Sequence, residues 1–240
     1  MPASPSNRAA ESHPDQDAPK ERNTVLLVVI GALAAISVVV AALVIFSSGE
    51  GPAEKPERAA AVSAGNQSLV VGKSTAPVKV VVYEDFASPE SRGFEIASRD
   101  FLRIEAARGS VQVEHRPFSA STADYSREAL QAWAGVLRAG TPEQALAFHD
   151  VLFDRQPASG APTPSELVTW ARESGIRDDA VFEAMATPDE ELVAAAGRAA
   201  RDAGADTTPL VVLDGTPVTA GSPTDLADKV QRAILEKEER

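Results

Sequence analysis

An α/β domain behind a single membrane-spanning helix is the fold class this sequence predicts. Two observations carry it. Thr24–Phe46 is a 23-residue run without one ionisable group. Downstream, short β-branched runs alternate with long stretches punctuated by Ser/Thr-Pro helix starts.

The apolar run departs from hydrocarbon character only at Thr24, Gly31 and Ser37. As a helix it is about 34 Å long, enough to cross a hydrocarbon core of about 30 Å with slight tilt. A buried core helix of this length would show a polar face. A cleaved signal peptide would show a shorter apolar region and a small-residue cleavage site, for which Phe46-Ser47-Ser48-Gly49 is a poor substitute. The run reads as an uncleaved anchor, residues 24–46. Lys20 and Arg22 precede it and no base follows until Lys55. Basic flanks stay inside, so the expected topology is single-pass in the cytoplasmic membrane. The N-terminus is inside and the C-terminal domain outside. Glu11, Asp15, Asp17 and Glu21 narrow that margin.

Residues 1–23 are Pro-, Ser- and Asp-rich and bury too little to offset chain entropy; they read as a disordered cytoplasmic tail. Residues 47–67 read as a flexible linker of about 20 residues with an end-to-end distance of roughly 25 Å. Residues 68–240 form the extracytoplasmic domain. The chain's net charge of −12 falls almost wholly on this part. That sign repels phosphate backbones, so no nucleic-acid partner is expected.

Within the domain, Lys79–Tyr83 is a β-branched run suited to a buried strand. Val111–Arg116 alternates as a second strand. Leu210–Leu213 is a third, and Asp214-Gly215 favours a type I′ turn into a fourth, Thr216–Val218. About 90 mostly helical residues separate the second strand from the third. Helix starts are expected at Thr141-Pro142, Thr163-Pro164, Thr187-Pro188 and Ser222-Pro223, each with a hydroxyl cap, a first-turn proline and an acceptor soon after. Gly140, Gly175 and Gly204 are expected to stop helices in the left-handed conformation. No internal repeat appears.

The stretch Glu84-Asp85-Phe86-Ala87-Ser88-Pro89-Glu90-Ser91 joins the first strand to a helix. By itself, Ser88 reads as an N-cap ahead of Pro89, with Glu90 at the positive helix end. The same junction resembles that of the DsbA-like thioredoxin-fold thiol–disulfide oxidoreductases, where Cys-x-x-Cys follows an Asp-Phe pair like Asp85-Phe86. Ala145–Phe153 resembles the family's helical insertion. Gly204–Gly215 resembles the segment holding its cis-proline and hairpin. The resemblance covers residues ~68–236 and implies a thioredoxin-like fold with a helical insertion. It further implies that Thr208-Pro209 is cis and that its backbone meets extended peptides; a proline that only shapes the sheet entrance is the plainer alternative.

The departure decides the chemistry. Ser88 and Ser91 stand where the family has cysteines, and the chain contains no cysteine at all. Thiol–disulfide exchange requires a thiolate attacking sulfur and a second thiol to resolve the product. The family's redox activity therefore does not carry over, and Ser88 and Ser91 are degenerate motif positions. A serine nucleophile needs a nearby base and an oxyanion hole; His115, at a strand end on the same sheet edge, could supply the base, but no G-x-S-x-G elbow is present. His149 reads as a packed or surface residue. No metal set is expected: thiolates are lacking, His115 and His149 are far apart in sequence, and Asp189-Glu190-Glu191 lacks calcium-loop spacing. Gly72-Lys73-Ser74 is not a phosphate loop, so no cofactor is expected. The expected function is a non-catalytic module binding or scaffolding an envelope protein or peptide. A chaperone-like or accessory subunit of a thiol–disulfide system is the alternative, and a serine hydrolase the remaining one.

Overall fold

The computed structural model describes residues 61–62 and 67–238. The tail 1–23, the span 24–46 and most of the linker 47–67 lie outside these residues. Among the described residues no helix is long and apolar enough to cross a membrane.

Chain order is β1 (Ala61–Val62), β2 (Leu69–Val71), β3 (Val78–Glu84), α1 (Pro89–Arg108), β4 (Val111–Pro117), α2 (Asp124–Ala139), α3 (Pro142–Asp154), α4 (Pro164–Glu173), α5 (Asp179–Met185), α6 (Glu190–Asp202), β5 (Leu210–Leu213), β6 (Thr216–Val218) and α7 (Pro223–Glu238). The strands form one sheet in the order β1-β2-β4-β3-β5-β6. β3 and β4 are parallel, joined through α1 as a parallel pair requires; every other pairing is antiparallel. The result is an α/β domain whose helices α2–α6 are inserted between β4 and β5.

Alternation along β3 and β4 builds the centre. Val78, Val80, Val82 and Glu84 are buried, as are Val111, Val113, His115 and Pro117 on β4. The valines pack with Phe94, Leu102, Val230 and Ile234 of α1 and α7. A second core joins Leu69, Val71 and Phe86 to Trp133, Phe148, Leu152 and Phe153 of the insertion. Full burial of side chains this size contributes about 1.5–3 kcal/mol each. The two large aromatic residues with polar tips are satisfied there: Tyr125 Oη donates to Leu152 O at 2.6 Å and Trp133 Nε1 to Ala145 O at 3.1 Å.

Local signals explain most element ends. Thr141 and Thr163 each close a capping box, with Gln144 and Glu166. Ser222 Oγ accepts from Asp225 N at 3.1 Å. Asp214 and Gly215 both have positive φ, 47° and 82°, as a type I′ turn demands. The other starts and stops depart from expectation in two places. Thr187 does not cap α6; its hydroxyl donates back to Glu183 O, and Asp189, accepting from Leu192 N at 2.9 Å, is the cap instead. Gly140 ends α2 in extended backbone, φ −95°, where a side chain would meet Val136 O at 2.8 Å, so space and not handedness requires glycine there.

β1 and β2 have no signature in the sequence pattern. Strands of two and three residues carry no period, and here they exist by pairing: Val71 with Ala61, and Leu69 with His115. The sheet thus reaches into the stretch expected to be linker.

A close helix approach sets one tolerance. A Cβ at Gly135 of α2 would lie 2.5 Å from Met185 Cα at the end of α5. Gly135→Ala will therefore lower unfolding free energy by about 1–3 kcal/mol, read by urea denaturation. An unchanged midpoint would show that these helices pack further apart.

Candidate functional site

β3 delivers the chain into the loop Asp85–Ala87, and α1 starts at once. Asp85 is buried, and its carboxylate organises the loop: Oδ1 accepts from Ala87 N at 2.8 Å, and Oδ2 from Ala120 N and Ser121 N at 3.0 Å each. Ser88 caps α1, its Oγ accepting from Ser91 N at 3.1 Å. Ser91 is buried and accepts from Asp85 N at 3.3 Å. Gln156, just beyond α3, donates to Phe86 O at 2.7 Å and Ser88 O at 3.0 Å. Both faces of the loop are pinned.

Thr208–Pro209 is a cis peptide, and the segment leading into β5 lies beside the junction: Ser88 Oγ is 3.4 Å from Thr208 O. Ser88, Thr208 and Pro209 are each half-buried. The four sequence-derived positions therefore share one edge of the sheet, Ser91 beneath the surface and the other three at it.

The histidines turn elsewhere. His149 is fully buried on α3, and its Nε2 donates to Glu84 Oε1 at 2.8 Å. His115 Nδ1 donates to the same oxygen at 3.1 Å. Their ring centroids are 4.6 Å apart. The Ser–His contact left open by the sequence is not made; the hydroxyls of Ser88 and Ser91 bond to the backbone and to Glu90. Nor does separation along the chain keep candidate metal ligands apart, because the fold brings distant residues together here. Glu84, Glu95, His115 and His149 are all buried, each with a donor atom within 4.8 Å of the others'. The sequence pattern puts Glu84 in the loop, one residue beyond the predicted strand. Its signal is the strand's own period: Val80, Val82 and Glu84 share a face, as do Val113 and His115.

Electrostatics follow from that packing. Burial alone would raise the Glu84 pKa, but the two histidines outweigh it and bring it down to about 2. Burial would lower that of His149, yet Glu84 and Asp150 hold its proton and raise it to about 10. Asp150, itself buried enough to be pushed up, is instead pulled well below the carboxylate range by His149 and Arg103.

A family model described as thioredoxin matches residues 64–233. The chain belongs to the thioredoxin family. No curated protein matches it. The thiol–disulfide oxidoreductase MdbA of Corynebacterium diphtheriae is similar in structure, with TM-score 0.60 and 18% identity, covering 75% of this chain and 99% of that one. The reduced form of DsbG from Mycobacterium tuberculosis gives 0.56 and 24% over 77% and 89% of the two chains. Reduced DsbA from Mycobacterium tuberculosis gives 0.56 and 23% over 74% and 92%. The structural neighbours of this thioredoxin-family chain are thus DsbA- and MdbA-like, and the chain itself has no cysteine.

Linkage gives a pH signature for the buried pair. A raised histidine pKa stabilises fully below the unfolded value of about 6.5, and that stability is lost as pH rises through about 10. A lowered carboxylate pKa stabilises above about 4.5 and is lost as pH falls through about 2. Measured in chelator, unfolding free energy will be highest near pH 5–6 and fall on both sides. His149→Gln will abolish the alkaline fall; an identical alkaline profile in both proteins would show that His149 is not the group responsible.

Proposed function

We propose that this protein is a membrane-tethered, extracytoplasmic thioredoxin-like module that binds envelope proteins or peptides and performs no thiol chemistry. One observation carries the reading. The strand–helix junction and the Thr208–Pro209 segment remain side by side and half-open, while both positions flanking Pro89-Glu90 are serines.

The oxidoreductases it resembles in structure need sulfur. A thiol near pKa 8.5 can be brought into the physiological range by a helix N-terminus; an alkyl hydroxyl starts far above that reach. Ser88 instead uses its lone pairs to cap α1, and Ser91 accepts from the Asp85 amide. What persists is an edge at which backbone groups next to β5 can pair with an extended chain, the β-augmentation mode of peptide recognition. An anchor at 24–46 and a linker after it would hold that edge near the outer membrane face, within reach of envelope clients.

The full-length chain in detergent will bind unfolded, thiol-blocked client peptides saturably by fluorescence anisotropy. Thr208→Arg, which sets a long cation at this edge, will weaken binding at least tenfold; unaltered affinity would remove the edge from the mechanism. The same protein will not reduce insulin, and activity without an added partner would sink the claim of lost redox chemistry. Ser88→Cys with Ser91→Cys will confer insulin reduction. Failure of that double variant, correctly folded, would show that more than sulfur separates the site from its structural neighbours.

A further inference from the structure

We propose that Glu84, Glu95, His115 and His149 form a site for one first-row divalent ion of the zinc class. The inference is independent of peptide binding at the sheet edge.

The donors come from four elements: Glu84 ends β3, His115 lies on β4, Glu95 on α1 and His149 on α3. All four are buried, with donor atoms mutually within 4.8 Å. A tetrahedral zinc with bonds of about 2.0–2.1 Å separates its donors by about 3.4 Å, so the widest pair needs to close by at most roughly 1.4 Å. A second observation points the same way. Glu84 Oε2 is buried without a hydrogen-bond partner, a costly condition for a carboxylate oxygen. His149 Nδ1 makes no hydrogen bond and lies 3.6 Å from Asp150 Oδ1 and 3.9 Å from Glu95 Oε1. The crevice of about 10 Å³ beside the cluster is bordered by Glu95, His115, Arg99 and Arg103, and by neither Glu84 nor His149, so the ion is placed among the four donors and not in that crevice.

Charge balance agrees. Two carboxylates neutralise a divalent ion while both imidazoles bind as neutral ligands, the protons leaving to solvent. Arg99 does not compete for the whole of that charge. It bonds Glu95 Oε1 at 3.0 Å, but also lies 3.0 Å from Asp154 Oδ1 and 3.6 Å from Asp150 Oδ1. Arg103 pairs with Asp150 at 2.5 Å. Asp150 and Asp154 thus share the two guanidinium charges with Glu95. Two nitrogens and two carboxylates suit zinc, cobalt or manganese better than calcium or magnesium, which take oxygen shells. Four protein donors leave no position for substrate, the pattern of a structural ion; it would clamp the insertion, through α3, onto the sheet.

The test uses the full-length, tag-free chain purified without chelator. Elemental analysis is expected to find one zinc per chain. Zinc at 100 times its Kd will raise Tm by roughly 5–10 °C, and magnesium or calcium will not. Cobalt substitution will give visible d–d bands. Glu95→Gln and His115→Gln will each weaken zinc binding at least tenfold and abolish those bands, with circular dichroism confirming the fold; Glu95→Gln preserves volume and serves if His115→Gln does not fold. Absence of stoichiometric zinc in the wild-type protein, or wild-type affinity in either folded variant, overturns the site.

Discussion

A single carboxylate oxygen, Glu84 Oε1, accepts from two imidazoles at 2.8 and 3.1 Å with no exposure to solvent. An unpaired charge at that depth would cost several kcal/mol, so β3, β4 and α3 are held where the three side chains meet. Placement of α3 then fixes the junction above it. Phe153 and His149 pack against Phe86, with centroids 5.0 and 5.6 Å away, and Gln156 fastens the Phe86 and Ser88 carbonyls. The open edge at Ser88 and Thr208 is thus shaped from below, by a polar cluster whose central carboxylate is fully buried.

At the edge itself, replacement of sulfur by oxygen converts a reactive junction into a well-bonded helix start. A thiol is a weak donor and acceptor, whereas a hydroxyl is strong in both roles. Ser88 caps α1 and reaches towards Thr208 O; Ser91 satisfies the Asp85 amide from inside. A serine cap contributes about 1 kcal/mol over alanine. The cap is made by the Ser88 side chain, whose hydroxyl also lies 3.4 Å from Thr208 O.

What the sequence made legible was local. The Thr-Pro boxes at Thr141 and Thr163, the Asp214-Gly215 turn and the valine runs of β3 and β5 each act within a few residues, and each is found where its pattern lies. Thr187 misled because Asp189, two residues on, offers a better acceptor to α6. β2 and β1 escaped because their stability comes from partners across the sheet. The Glu84 cluster escaped for the same reason, with 31 and 65 positions separating its hydrogen-bonded residues. Yet a charged residue in phase with three buried valines was a visible clue that the strand ended on a buried acid.

That buried acid is hard to explain as a stability device alone. Well-packed apolar residues of equal volume often hold a core as firmly as a buried ion pair, because desolvation offsets most of the attraction. In a thiol enzyme, charges beneath the junction could serve by tuning a thiolate; here there is no thiol to tune. What such a cluster still provides is direction. Its hydrogen bonds tie β3, β4 and α3 together at one carboxylate oxygen, and Glu95 of α1 joins them, so that two carboxylates and two imidazoles converge. A cluster that gathers two carboxylates and two imidazoles in this way, and leaves Glu84 Oε2 buried without a hydrogen-bond partner, has the character of a receptor for a cation more than that of a simple clasp.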